Sequence, residues 1–227
     1  MNMSLQLSTL NPFAQGGNRL CFIHPDVPEK CIKVRRPDFT LEDCRRKKGF
    51  PKKLRPLSSF DDNLEEFKVV SHLYKTKGEG VYKHIYRCFG FVDTDLGAGL
   101  ETELVRDDDG KISLSLKQYI WECGYSPECE KSINELINFW KDNLIPSRDL
   151  LTHNVLVQQA DNGVIKRLVV IDGLGSPSVV PFFLFPRFLK IRVIERKTNR
   201  FLQRINDFVK SCNENKRPSK VGVLNFR

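Results

Sequence analysis

No stretch of this chain reaches ~18 consecutive apolar residues, and no basic segment followed by an apolar one opens it, so neither a spanning helix nor a secretory leader is expected. The seven cysteines offer no C-x-x-C and no Cys/His cluster with zinc spacing, and an odd number cannot close a disulfide framework. Reduced thiols, several of them buried, are the expectation, in a cytoplasmic protein. Cys123 and Cys129 flank Gly124-Tyr125-Ser126-Pro127-Glu128, which reads as plain loop. Internal repeats and low-complexity tracts are missing. Asp107-Asp108-Asp109-Gly110 lacks the further ligands of a Ca²⁺ loop and reads as a turn.

What is present is a chain of 227 residues, 40% hydrophobic, long enough to bury a sizeable core. Its most informative segment is Ser147-Arg148-Asp149-Leu150-Leu151-Thr152-His153-Asn154, followed by Val169-Val170-Ile171-Asp172-Gly173. An Asp, an Asn five residues later, a short hairpin and then Asp-Gly is the order of a protein kinase catalytic loop and its D-F-G element. The chemistry explains the order. An acceptor hydroxyl needs a carboxylate to orient it, and nucleotide phosphates need Mg²⁺ held by a few hard oxygens. Asp149 is expected as base, and Asn154 and Asp172 as metal ligands. Residues 154–158 and 167–171 read as two strands joined by a turn at Ala160-Asp161-Asn162-Gly163, which would bring Asn154 and Asp172 to one end of a hairpin. His153, inside the loop, is read as structural.

A kinase also needs a glycine turn, a strand lysine for the phosphates and a helix glutamate to hold that lysine. Gly16 and Gly17 lie in a turn between apolar runs and would let backbone N–H groups approach phosphate. Lys30-Cys31-Ile32-Lys33-Val34 alternates as a strand, with Lys33 in the V-A-I-K position. Residues 61–75 carry Leu64, Phe67, Val70 and Leu73 at helical spacing, with Asp61 or Asp62 as N-cap. Glu66, at the edge of that stripe, is the assigned partner of Lys33, with Glu65 as the alternative. Residues 82–92 and 99–105 read as the remaining strands of the first lobe, making Glu103, Leu104 and Val105 the hinge whose backbone would meet adenine. Residues 113–119 and 130–143 read as helices of the second lobe. The expected fold is α+β: an antiparallel-sheet N-lobe over 1–106 and a truncated helical C-lobe over 107–227.

The segments GGNRLCFIHPDVPEKCIKV, GAGLETELVRDDDGKISLSLKQYI, LLTHNVLV and VVIDGLGSPSVVPF resemble the bacterial YrbL family of PhoP regulatory network proteins, and the similarity covers nearly the whole chain. The resemblance implies a small protein-kinase-like fold and a link to a two-component envelope-stress regulon, with no substrate to carry over. In that family the catalytic Asp is not universal, so pseudokinase members are implied as well.

Departures from the kinase pattern bear on the reaction. Ser147 stands where H-R-D has its bracing His, and Leu174 follows Gly173, so the aromatic of D-F-G is missing. The glycine turn is weaker than G-x-G-x-x-G. Only 55 residues follow Asp172, too few for the large helical lobe and A-P-E element of a typical kinase. An acceptor hydroxyl on a small molecule, a sugar or an envelope glycolipid is therefore expected, with ATP and Mg²⁺ as cofactors. The alternative is a pseudokinase serving as a nucleotide-sensing regulatory module.

The net charge is +9. Residues 35–55 hold nine basic and three acidic residues with interspersed prolines, and read as a long mobile loop over the nucleotide cleft. Residues 187–204 space Phe188, Ile191, Ile194 and Phe201 as one face of a basic amphipathic helix, either a core helix with a solvated basic side or an attachment to an anionic inner-membrane surface. Nucleic acid ranks below both, because no stacking motif accompanies the charge. Residues 214–220 read as a frayed tail.

Overall fold

The computed structural model describes every residue except 1–3, 177–179, 181, 218, 220, 221, 225 and 227, and the backbone alone of Lys52. The fold is α+β and its sheets are antiparallel. The chain divides into two compact units: one takes residues up to 78, 86–104 and 224–227, the other 79–85 and 105–223.

The first unit is a five-stranded sheet in the order β1-β2-β3-β5-β4, formed by β1 (Ala14–Gln15), β2 (Arg19–Ile23), β3 (Lys30–Arg35), β4 (Cys88–Thr94) and β5 (Gly97–Glu103). Strand alternation decides which side chains meet. On one face Ile32 and Val34 join Leu7 and Phe22 in a hydrophobic cluster. Lys33, one residue out of phase, takes the other face. Gly99 permits this packing, since a Cβ there would come within 2.5 Å of the Ile32 side chain. The strand expected over 82–92 begins only at Cys88, because Gly78–Lys83 winds as a 3-10 helix.

Two elements of this unit differ from expectation. Helix α2 (Asp62–Lys77) is capped by Asp61, whose carboxylate accepts from the N–H groups of Asn63 and Leu64. Its buried stripe is Asn63, Glu66, Val69, Val70 and Leu73, which keeps Val70 and Leu73 of the expected stripe and leaves Leu64 and Phe67 half-buried, so Glu66 lies in the middle of the buried face and not at its edge. The basic segment 35–55 is also not a mobile loop. It contains α1 (Leu41–Arg46), started by a reciprocal Thr40–Asp43 capping box and burying Cys44. Its cations are largely answered locally: Arg36 by Asp38, Arg45 by Glu42, Arg46 by Asp43 and Arg55 by Glu65, while Lys47 lies over the Phe39 ring.

In the second unit β6 (Leu114–Ser115), β7 (Val155–Gln159) and β8 (Ile165–Val170) form a three-stranded sheet in that order, and Ile85 bridges the far edge of β8 at Val170. Helix α3 (Leu116–Cys123) starts three residues later than the expected 113–119 because Leu114–Ser115 pair as β6, and α4 (Pro127–Asp142) starts before the expected 130, so Pro127 and Glu128 are helix rather than loop; α4 buries Ile133, Leu136, Ile137 and Trp140. Helix α5 (Arg187–Asn213) is longer than expected and buries Ile194, Thr198, Phe201 and Ile205. Phe188 and Ile191 are exposed, so the apolar face begins a turn or two later than the sequence suggests. Beyond α5 the chain is not simply frayed. Lys117 Nζ donates to the Ser219 carbonyl at 2.7 Å, and the Ser115 hydroxyl donates to the Gly222 carbonyl at 2.8 Å.

Candidate functional site

The lysine half of the site is built by β2, β3 and α2. Lys33 Nζ lies 2.7 Å from Glu66 Oε1, and the other carboxylate oxygen lies 2.8 Å from an Arg19 guanidinium nitrogen. Arg19 also donates to Asn63 Oδ1 at 3.1 Å, and Asn63 Nδ2 donates to the Lys33 carbonyl at 2.8 Å, which ties the strand to the helix. The Lys33 ammonium sits 4.1 Å from the centre of the Tyr86 ring. Arg19, Lys33, Asn63 and Glu66 are all buried, so each charge depends on its partner. A strand lysine held by a helix glutamate is the arrangement kinases use to present a cation to nucleotide phosphates. The nearby Cys88 thiol is pushed up to about 12 by burial and by the Glu66 carboxylate, and stays protonated.

Sequence reasoning missed Arg19 and Asn63. Arg19 opens a strand and Asn63 sits in the first turn of a helix, positions at which polar residues are ordinarily solvated. Only the fold shows that Arg19 reaches Glu66 and that Asn63 bridges Arg19 and the Lys33 carbonyl. The glycine turn is less specific than expected. Gly16 N–H donates to the Arg19 carbonyl at 2.9 Å and closes the hairpin, and neither Gly16 nor Gly17 adopts a positive φ. What distinguishes Gly17 is open space: a Cβ there would meet nothing within 4 Å.

At the expected hinge, Glu103 ends β5 and Val105 begins the longer of the two segments of the second unit. Glu103 N–H donates to the Arg87 carbonyl at 2.9 Å, Leu104 N–H to the Glu29 carbonyl at 2.8 Å, and the Val105 carbonyl accepts from Ser113 N–H at 3.0 Å. These bonds engage groups that the expectation assigned to adenine.

The acidic half lies in the second unit. The loop carrying Asp149 is strapped to the Asp-Gly turn by Arg148 N–H donating to the Gly173 carbonyl at 2.7 Å and Arg148 Nε to the Leu174 carbonyl at 3.1 Å. Asn154 closes a 3-10 turn, and its carbonyl accepts from Ile171 N–H at 2.9 Å, at the end of the β7–β8 ladder where Val155 faces Val170. The hairpin thus brings Asn154 beside Asp172, as the spacing predicts. Gly173 has φ 81°, and a Cβ there would lie 2.3 Å from the Asp149 carbonyl oxygen and 3.4 Å from Asn154 Nδ2. Asp149, Asn154 and the Asp172–Gly173 pair therefore converge on one point. Gly173→Ala should lower stability by about 1–3 kcal/mol, the usual cost of a strained backbone, and a melting temperature equal to wild type would contradict this geometry.

Asp149 does not stand alone. Both carboxylate oxygens are gripped by Arg204 of α5, at 2.8 and 3.1 Å, and Lys197 Nζ lies 3.8 Å from Oδ1. Arg204 also donates to the Leu150 carbonyl at 2.8 Å, and Lys197 donates to the Arg148 carbonyl. Bracing that a kinase takes from its loop histidine comes here from α5. Burial pushes the Lys197 ammonium below its ordinary range, with the Asp149 carboxylate acting against that shift. The Asp149 side chain keeps 40% exposure. His153 has a structural setting: burial, then Lys117, holds its pKa down, and a Cβ on Gly222 would come within 2.2 Å of its own Cβ.

Among the described residues no group of three or more His, Cys, Asp or Glu could hold a metal. Asn154 and Asp172 supply one amide and one carboxylate, the sparse oxygen set Mg²⁺ takes when phosphates and waters complete its octahedron, so these residues fit that ion.

Residues 5–206 match the family model described as PhoP regulatory network protein YrbL. The chain belongs to the YrbL family. YrbL of Escherichia coli K12 is 27% identical over 204 residues, covering 87% of this chain and 86% of that protein, and YrbL of Shigella flexneri gives the same figures. Among solved structures, Rad53 1–466 in complex with AMP-PNP is similar at a TM-score of 0.48 and 17% identity, across 89% of this chain and 46% of that one. For the YrbL family, then, the kinase-like character of this member rests on its own geometry: the buried lysine–glutamate pair, and the loop, hairpin and Asp-Gly turn in kinase order.

Proposed function

We propose that this YrbL-family protein is an ATP- and Mg²⁺-dependent phosphotransferase acting on a hydroxyl of a small molecule, a sugar or an envelope glycolipid. The observation that carries the reading is the buried Lys33–Glu66 ion pair at 2.7 Å. A buried cation on a strand, fixed by a helix carboxylate, has a ready use in gripping nucleotide phosphates. In this reading Lys33 binds the α and β phosphates, Glu66 orients Lys33, and the open side of Gly17, beside Gly16, admits phosphate oxygens. Asn154 and Asp172 hold Mg²⁺, which when bound draws off charge from the phosphates. Asp149 accepts a hydrogen bond from the acceptor hydroxyl and takes its proton as transfer proceeds.

A second reading has its own observation. The bidentate grip of Arg204 on Asp149 occupies the carboxylate that an active enzyme would turn to its acceptor, which favours a nucleotide-sensing regulatory module in envelope-stress signalling.

Mg²⁺-ATP at about 100 times its Kd should stabilise the protein by about 2.7 kcal/mol, a rise in melting temperature of about 5–10 °C. Asp172→Asn should remove most of that rise. Equal shifts without Mg²⁺, or in the variant, would overturn the assignment of Asp172.

A further inference from the structure

Between Asp172 and Glu195 the chain has no acidic residue, while Arg187, Lys190 and Arg192 fall inside that stretch. The structure gives the stretch an unusual surface. In the 3-10 turn Phe182–Leu184, Phe182 is buried with its ring 5.9 Å from that of Phe185, whereas Phe183 is exposed and Leu184 is 73% exposed. Helix α5 starts directly afterwards, and its first buried residue is Ile194. The part before Ile194 stands clear of the core: Phe188 is 61% exposed, and Leu189 and Ile191 are exposed beside Arg187 and Arg192. Lys190 Nζ donates to the Phe183 carbonyl at 2.9 Å and ties the turn to the start of the helix.

Leaving a large apolar group in water is unfavourable, and several together on a soluble unit mark a surface that meets a partner. Which partner follows from the charge. The other basic segment, 35–55, pairs Arg36, Arg45 and Arg46 with its own carboxylates and Arg35 and Arg55 with Asp61 and Glu65 of the same unit, while Lys197 and Arg204 are committed to the Asp149 loop. From Gly173 to Ile194 the sequence carries no carboxylate and its cations alternate with Phe, Leu and Ile, the first acidic residue being Glu195, one turn after Arg192 in α5. That combination suits a partner presenting a continuous sheet of anions over an apolar interior. Helices that lie in a bilayer interface use the same pairing of signals, because neither apolar insertion nor charge alone holds a protein there stably.

We propose that the turn Phe182–Leu184 and the start of α5 dock the protein on an anionic lipid bilayer. Leu184 and Phe188 enter the boundary between headgroups and acyl chains, and Arg187 and Arg192 meet the lipid phosphates. The docking is independent of whether the protein transfers phosphate, and its test reads binding alone.

The test is co-sedimentation of the full-length protein with vesicles of phosphatidylcholine containing about one third phosphatidylglycerol, and with vesicles of phosphatidylcholine only. Wild type should bind the anionic vesicles at low salt and leave the neutral ones in solution. Leu184→Ser with Phe188→Ser, and separately Arg187→Gln with Arg192→Gln, should each weaken binding about tenfold or more. Raising salt from about 0.1 to about 1 M, which shortens screening from about 10 to about 3 Å, should release the protein. These residues are exposed, so both variants should melt with wild type. If one pair fails to fold, the other still tests the surface. Equal binding to neutral vesicles, no binding to anionic ones, or a serine variant that binds like wild type would overturn the proposal. So would a dimer abolished by the serine variant with no lipid binding, which would assign the face to a second copy.

Discussion

Asp149→Ala should leave Mg²⁺-ATP binding nearly intact and lower turnover by about 10²-fold or more, the effect of losing positioned general-base catalysis. Arg204 and Lys197 of α5 hold the Asp149 carboxylate, and Lys33 is held by Glu66, so nucleotide grip should survive the loss of Asp149. Phosphate transfer in an extract depleted of small kinases, or slow ATP hydrolysis, measures the change against wild type at matched folding. Arg204→Ala supplies a second arm. If Arg204 only braces the loop, its loss should lower stability and turnover together; if it withholds Asp149 from an acceptor, turnover should rise. Wild type and Asp149→Ala binding Mg²⁺-ATP equally, with neither turning it over across a broad acceptor panel, would replace the enzyme by the regulatory module.

Glu66→Ala should be among the most damaging substitutions in the protein, costing about 3–5 kcal/mol, because it leaves the buried Lys33 ammonium and Arg19 guanidinium facing a void where their shared carboxylate had been. For a chain of this length that loss lowers the melting temperature by about 10 °C or more. Glu66→Gln keeps the shape and one acceptor oxygen and should cost less, which separates loss of charge from loss of volume. The measurement is urea unfolding of the three proteins, read as a change in midpoint at constant slope. A midpoint for Glu66→Ala within error of wild type would show that neither cation depends on this carboxylate.

The legible part of the site was whatever local spacing controls. The 154–158 and 167–171 hairpin, its turn and the Asp-Gly that follows could be read because two short strands and an Asn-Gly pair leave few alternatives. Lys33 and Glu66 could be paired because their order along the chain matched a known mechanism, although only Val70 and Leu73 of the apolar stripe on α2 are buried, Leu64 and Phe67 being half-buried. The strongly apolar Leu64 and Phe67 outweighed Asn63 and Glu66, whose burial depends on partners remote in sequence. The same limit hid Arg19 and Arg204, each illegible until β2 and α5 had been laid against their neighbours. In segment 35–55 the prolines and cations suggested a loop, yet Thr40-Leu41-Glu42-Asp43 carries a helix-start signal that composition obscured. The glycines at 78 and 80 were the overlooked sign that the strand into Thr94 would start late.

The contact between Gly222 and His153 has a consequence for how the protein is made. Synthesis proceeds from the N-terminus at about 5–20 residues per second, and units fold as they emerge. A nascent chain that has just completed α5 already contains Lys33, Glu66, Asp149, Asn154 and Asp172, but it lacks the Ser219 carbonyl that receives Lys117 and the Gly222 backbone that packs behind His153. The loop bearing Asn154 can therefore take its final surroundings only after the segment through Gly222 has left the ribosome. A message read short of that point yields a polypeptide with every proposed reactive group in place and the support beneath one of them missing.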